Sequence, residues 1–101
     1  MKVVNQAVNF NADAKLLEFI EKKLNKLEQY FDNIIMADVF LKVENTSDKD
    51  NKIVEIRLEI PGNDLIAKKK SSTFEAAVDE AADSLKRQIK KKKEKMRPRK
   101  K

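Results

Sequence analysis

The stretch "IVEIRLEI" at residues 53–60 alternates without a break: Val54, Ile56, Leu58 and Ile60 fall on one side, Glu55, Arg57 and Glu59 on the other. Successive side chains of a strand point to opposite faces, so this pattern describes a strand buried on one face and wet on the other. "IIMADVFLKVE" (34–44) behaves in the same way, with Ala37, Val39, Leu41 and Val43 set against Asp38 and Lys42. The polar "NTSDKDN" between the two reads as a hairpin loop. A sheet built from such strands has one solvated face, and whatever covers it must lie on the other.

Two helical stripes are available as that cover. Leu16, Ile20, Leu24, Leu27 and Phe31 recur at spacings of four, four, three and four, and Phe74, Val78, Ala81, Leu85 and Ile89 at four, three, four and four. Asp13 is placed to cap the first helix, because its carboxylate can accept a free amide of the first turn. Ser72 and Glu75 have capping-box spacing at the start of the second. That helix runs from acidic (Asp79, Glu80, Asp83) to basic, as the helix dipole prefers. Pro98 cannot continue it and disfavours helical Arg97, which ends it near Met96.

Val3–Val8 reads as a further strand, and "DLIAKKK" (64–70) as another, joined to its predecessor by a turn in which Pro61 and Gly62 suit the two central positions of type II. The element order is β-α-β-β-β-α. The expectation is an α+β fold with a four-stranded sheet and two helices on one face, and the first two strands, linked through a helix, parallel with a right-handed crossover. Residues 1–96 form the domain and 97–101 a basic tail. At 101 residues the chain holds one core.

Composition narrows the chemistry. There is no cysteine, histidine or tryptophan. The commonest general base, the best nucleophile and the usual transition-metal ligands are therefore missing, and with them most routes to catalysis. No nucleotide loop or metal-ligand spacing appears, so neither cofactor, metal nor small-molecule substrate is expected. "MKVVNQAVNF" does not resemble a signal peptide, and no apolar run approaches the ~18 residues of a membrane span. The expectation is a cytoplasmic protein without membrane contact, monomeric when free.

Charge supplies the positive clue. Residues 86–101 hold 11 basic residues and one acidic, Glu94, so a net charge of +6 divides into +10 there and −4 on residues 1–85. A mildly acidic body with a strongly basic end suits a nucleic-acid or other polyanion binder. The bland alternative is a solubilising tail. Against it, the apolar stripe stops at Ile89: one turn on, the core-facing position is Lys92, flanked by Lys91 and Lys93. Six basic residues in the eight positions from Lys86 to Lys93 repel one another in the free chain. Lys23, Lys26, Lys68 and Lys70 add charge that could widen the patch, although lysines 68–70 are equally explained as protection of a sheet edge.

The motifs "KLEQYFD" (26–32), "VFLKVE" (39–44) and "AAVDEAADSLKRQIKKKKEK" (76–95) resemble the short-form ribosome hibernation-promoting factor family, which includes ribosome-associated inhibitor A and once carried the label sigma-54 modulation protein. The similarity spans roughly residues 3 to 95. It implies a fold related to the double-stranded RNA-binding domain. It also implies binding to rRNA of the small ribosomal subunit, across the mRNA channel and tRNA sites of the decoding region, within the intact ribosome, with translation silenced under stress or in stationary phase. Lys23, Lys26, Arg87, Lys91, Lys93 and Lys95 match positions usually basic in the family, and Asp79, Asp83 and Gln88 also match. Thr73-Phe74-Glu75 departs from the Asp-Met-Tyr common at the second helix start, so an aromatic is missing at position 75. Lysines 68–70 and "RPRKK" are additional charge. The long form's C-terminal dimerisation domain has no counterpart here, and the chain is not expected to pair ribosomes alone.

From pattern and resemblance together, the candidate RNA-binding residues are Lys23, Lys26, Lys68, Lys70, Lys86, Arg87, Lys90, Lys91, Lys93 and Lys95. The competing reading is a general structured-RNA or DNA binder with no ribosomal preference.

Overall fold

A computed structural model describes residues 1–96; the expected tail, 97–101, lies outside the described residues. The element order is β1 (Lys2–Val8), α1 (Ala14–Leu27), β2 (Met36–Val43), β3 (Lys52–Ile60), β4 (Asn63–Ser71) and α2 (Phe74–Met96). One four-stranded sheet has the order β1-β2-β3-β4, with β1 parallel to β2 and the other pairs antiparallel. This is the predicted architecture.

The alternation in β2 and β3 does what it promised. Ala37, Val39, Leu41, Val54, Ile56, Leu58 and Ile60 are buried, and the register aligns Val39 with Ile56 and Leu41 with Val54. Leu16, Ile20, Leu24 and Leu27 of α1 join Phe74, Val78, Ala81, Leu85 and Ile89 of α2 in the same cluster, so both helices cover one face. Leu65 and Ala67 carry that core to β4.

Local chemistry explains the boundaries. Asp13 caps α1, its carboxylate accepting from the Leu16 amide at 2.8 Å. The apolar stripe continues to Phe31, but the helix stops at Leu27, where three-residue hydrogen bonds from Glu28, Gln29 and Tyr30 tighten the chain. Phe31 is still delivered to the core from that turn. At α2 the expected Ser72–Glu75 box does not form. Thr73 is the cap, its hydroxyl accepting from Ala76 N at 3.0 Å, and Phe74 begins the helix stacked on Phe10 with ring centroids 4.8 Å apart. Gly62 has φ +80°, as the second central position of a type II turn requires, and Ile60 pairs with Asn63 across it.

Candidate nucleic-acid interface

Two contacts fix how the helices lie. Lys23 of α1 meets Asp79 of α2 at 2.7 Å, and Tyr30, just past α1, meets Lys86 and Lys90. Both positions advance together, so the helices run parallel and their C-terminal ends share one end of the domain. A helix C-terminus carries partial negative charge and favours cations. Lys26 occupies the last turn of α1. Lys86, Arg87, Lys90, Lys91 and Lys93 follow along α2.

Ile89 is the last core residue of α2. The helix continues to Met96, about 10 Å further at 1.5 Å per residue. Over that length Lys90, Lys91 and Lys93 are exposed, and Lys92, where the stripe would have continued, is only half-buried. The basic run is thus a helical projection growing out of a packed domain. Among the described residues, the ion pairs found are Met1–Glu28, Lys23–Asp79, Arg57–Asp64 and Lys70–Glu44. Lys26, Lys86, Arg87, Lys90, Lys91 and Lys93 take part in none of these. Lys95 lies in the last turn of α2, its side chain outside the described part.

The candidate set does not form one patch. Strand alternation places Leu65 and Ala67 in the core and sends Lys68 and Lys70 to the open face of the sheet, opposite the helices. Lys68 stands across from Glu55 in the register, and Lys70 donates to Glu44 at 2.8 Å. They are separated along the fold as well. Gln88 donates to the Ile66 carbonyl on the outer edge of β4 at 3.0 Å, so Lys68 and Lys70 lie back towards the acidic start of α2. β4 is an edge strand, which fits the protective reading of its lysines. Lys23, one turn before Lys26 on α1, is held at Asp79 in the acidic first half of α2, and its charge is engaged there.

Tyr30 was not foreseen as part of this surface. It is half-exposed, with the Lys86 ammonium 4.7 Å and the Lys90 ammonium 5.9 Å from its ring centroid. Lys86 holds the phenol below its ordinary pKa of 10.0, by hydrogen bonding first and then by charge; Lys90 and Lys26 add to the effect. Beside it lies a shallow recess of about 230 Å³ lined by Tyr30, Lys90, Lys93 and Glu94. Sequence spacing could not bring it out, because Tyr30 sits beside Phe31 of the apolar stripe and its lysine partners come from the far end of the chain.

Among the described residues no group of three His, Cys, Asp or Glu is placed to hold a metal ion, and no helix is long and apolar enough to cross a membrane. What this end of the domain offers is a set of cations, an aromatic ring and a projecting helix, suited to a polyanion.

The family profile described as sigma 54 modulation protein / S30EA ribosomal protein matches residues 3–97. The chain belongs to this family. Among S30EA relatives, a ribosome hibernation promoting factor of Pseudomonas putida is 40% identical over 80 residues, covering 79% of this chain and 74% of the relative. The Escherichia coli K12 ribosome hibernation promoting factor is 35% identical over 89 residues, covering 88% of this chain and 90% of its own. A ribosomal subunit interface protein from Coxiella burnetii superposes with a TM-score of 0.82 at 25% identity, covering 92% of this chain and 98% of that one. The S30EA fold is therefore the fold seen here.

Proposed function

We propose that this chain is a non-enzymatic ribosome hibernation factor of the cytoplasm. It binds rRNA in the decoding region of the small subunit and silences translation by occupying space that mRNA and tRNA need. Membership of the S30EA family supports the ribosomal assignment. The observation that carries the mode of binding is the parallel pair of helices, which gathers cations at one end and extends them on a helical projection.

In this mechanism Lys26, Lys86, Arg87, Lys90, Lys91 and Lys93 grip phosphates and supply affinity, while the folded body fits A-form rRNA by shape. Nothing in the reading requires a chemical step. Inhibition is steric and reversible, set by occupancy.

The test is sedimentation of the purified protein with vacant small subunits, with generic duplex RNA as competitor, over a range of salt. Engagement of ~5–7 phosphates gives a log–log salt slope of roughly −4 to −6, because each contact releases condensed counterions. Retention on subunits in excess duplex RNA supports the reading. Loss to the duplex would favour the general structured-RNA binder instead.

A further inference from the structure

We infer that Tyr30 is itself part of the RNA-binding surface: with Lys86 and Lys90 it forms a cradle for a backbone phosphate, the ring stationing the two ammoniums and the phenol adding a donor. This rests on the polyanion-binding reading above and names a site within it.

The fold holds its lysines in two ways. Lys23 and Lys70 are fixed by carboxylates, at 2.7 and 2.8 Å, and each pair cancels its own charge. Lys86 and Lys90 are held differently, over the face of one aromatic ring at 4.7 and 5.9 Å. A ring attracts a cation through its quadrupole but brings no net charge. The ammoniums are therefore restrained without being neutralised, and their positive field stays available to a ligand.

Restraint matters because a free lysine side chain has many rotamers to lose on binding, and fixing them beforehand removes that cost. Lys86 and Lys90 are i,i+4 neighbours, so their heads reach the same patch. Lys26, in the last turn of α1, approaches from the other helix. The recess lined by Tyr30, Lys90, Lys93 and Glu94 opens beside them, with Glu94 as its one acidic group. It is wide enough to admit a phosphate group, and two lysines against one glutamate leave its lining net positive. The lowered phenol pKa agrees with a hydroxyl polarised by neighbouring ammoniums.

The chain has one tyrosine and no tryptophan, so emission excited above the phenylalanine band reports this site alone. Inorganic pyrophosphate, titrated into the full chain at constant ionic strength, should change that emission saturably. Chloride should not, and Lys86→Gln/Lys90→Gln should abolish the response. A non-saturating change, no change, or one that survives the double substitution would overturn the cradle.

A second measurement compares wild type, Tyr30→Phe and Tyr30→Leu, each confirmed folded by circular dichroism, on small subunits and on generic duplex RNA. Tyr30→Leu should bind roughly 5- to 20-fold more weakly, the size expected when two lysine side chains must be ordered on binding, with the salt slope unchanged because the same cations remain. Tyr30→Phe keeps the ring and should recover most of that loss. Equal affinity for all three proteins would also overturn the cradle. Absence of any wild-type preference for the subunit would sink the ribosomal reading, while the pyrophosphate result still decides the cradle.

Discussion

The Lys23 ammonium lies 2.7 Å from the Asp79 carboxylate, joining α1 to α2 on the side that carries the basic run. Both side chains are substantially exposed, at 32% and 51%. An ion pair of that kind contributes little, about 0–1 kcal/mol. Its larger consequence is electrostatic: Asp79 offsets the charge of Lys23, a cation that the proposed mechanism could otherwise offer to a phosphate.

Asp79→Asn should therefore cost less than about 1 kcal/mol of stability and tighten RNA binding. The salt slope should steepen by up to ~0.9, the amount expected for one added phosphate contact. Denaturant titration and salt-dependent binding measure the two effects. Unchanged affinity and slope would mean that Lys23 lies outside the interface.

Thr73, not Ser72, caps α2. Thr73→Ala should lower stability by about 0.5–2 kcal/mol, the usual loss for an N-cap hydroxyl, and Ser72→Ala by far less. Chemical denaturation of the two variants side by side measures the difference. A reversed ranking would restore the capping box that sequence spacing suggested.

That one-residue offset shows where sequence reading stops. The strands, both stripes and the order of elements were open to inspection, because periodicity is a local property and burial imposes it directly. Ser72 and Thr73 are both good caps; the choice depends on Phe74 beginning the helix against Phe10, a contact between distant segments. The Lys23–Asp79 pair and the setting of Tyr30 are hidden for the same reason, each needing the two helices side by side. Lys68 and Lys70 were legible as edge lysines, yet only the register with β3 and the Gln88–Ile66 bond show how far they stand from α2's basic end.

On the open face, Lys70 lowers the pKa of Glu44 below its ordinary 4.5, chiefly by hydrogen bonding, and Glu44 in turn raises that of Lys70 above 10.5. A depressed carboxylate adds stability above its unfolded pKa and loses it as pH falls through the folded one. A raised lysine adds stability below its unfolded pKa and loses it as pH climbs through the folded one. The melting-temperature gap between wild type and Glu44→Gln should thus be constant at neutral pH and close at both extremes. It should also shrink with added salt, since the pair is exposed. A gap that widens in acid would contradict the pairing.

In the proposed mechanism the basic end of α2 is the element that grips RNA. Arg87 and Lys91 are exposed i,i+4 neighbours off the apolar stripe, so Arg87→Glu/Lys91→Glu exchanges two cations for two anions while leaving the core intact. The deciding measurement is sedimentation of this variant with small ribosomal subunits beside wild type, after its thermal unfolding is shown to be unchanged. The expected result is a fall in affinity of about 100-fold or more, with translation inhibition lost in parallel. Wild-type sedimentation by a folded double variant would contradict it, and would leave the projecting helix a solvated tail.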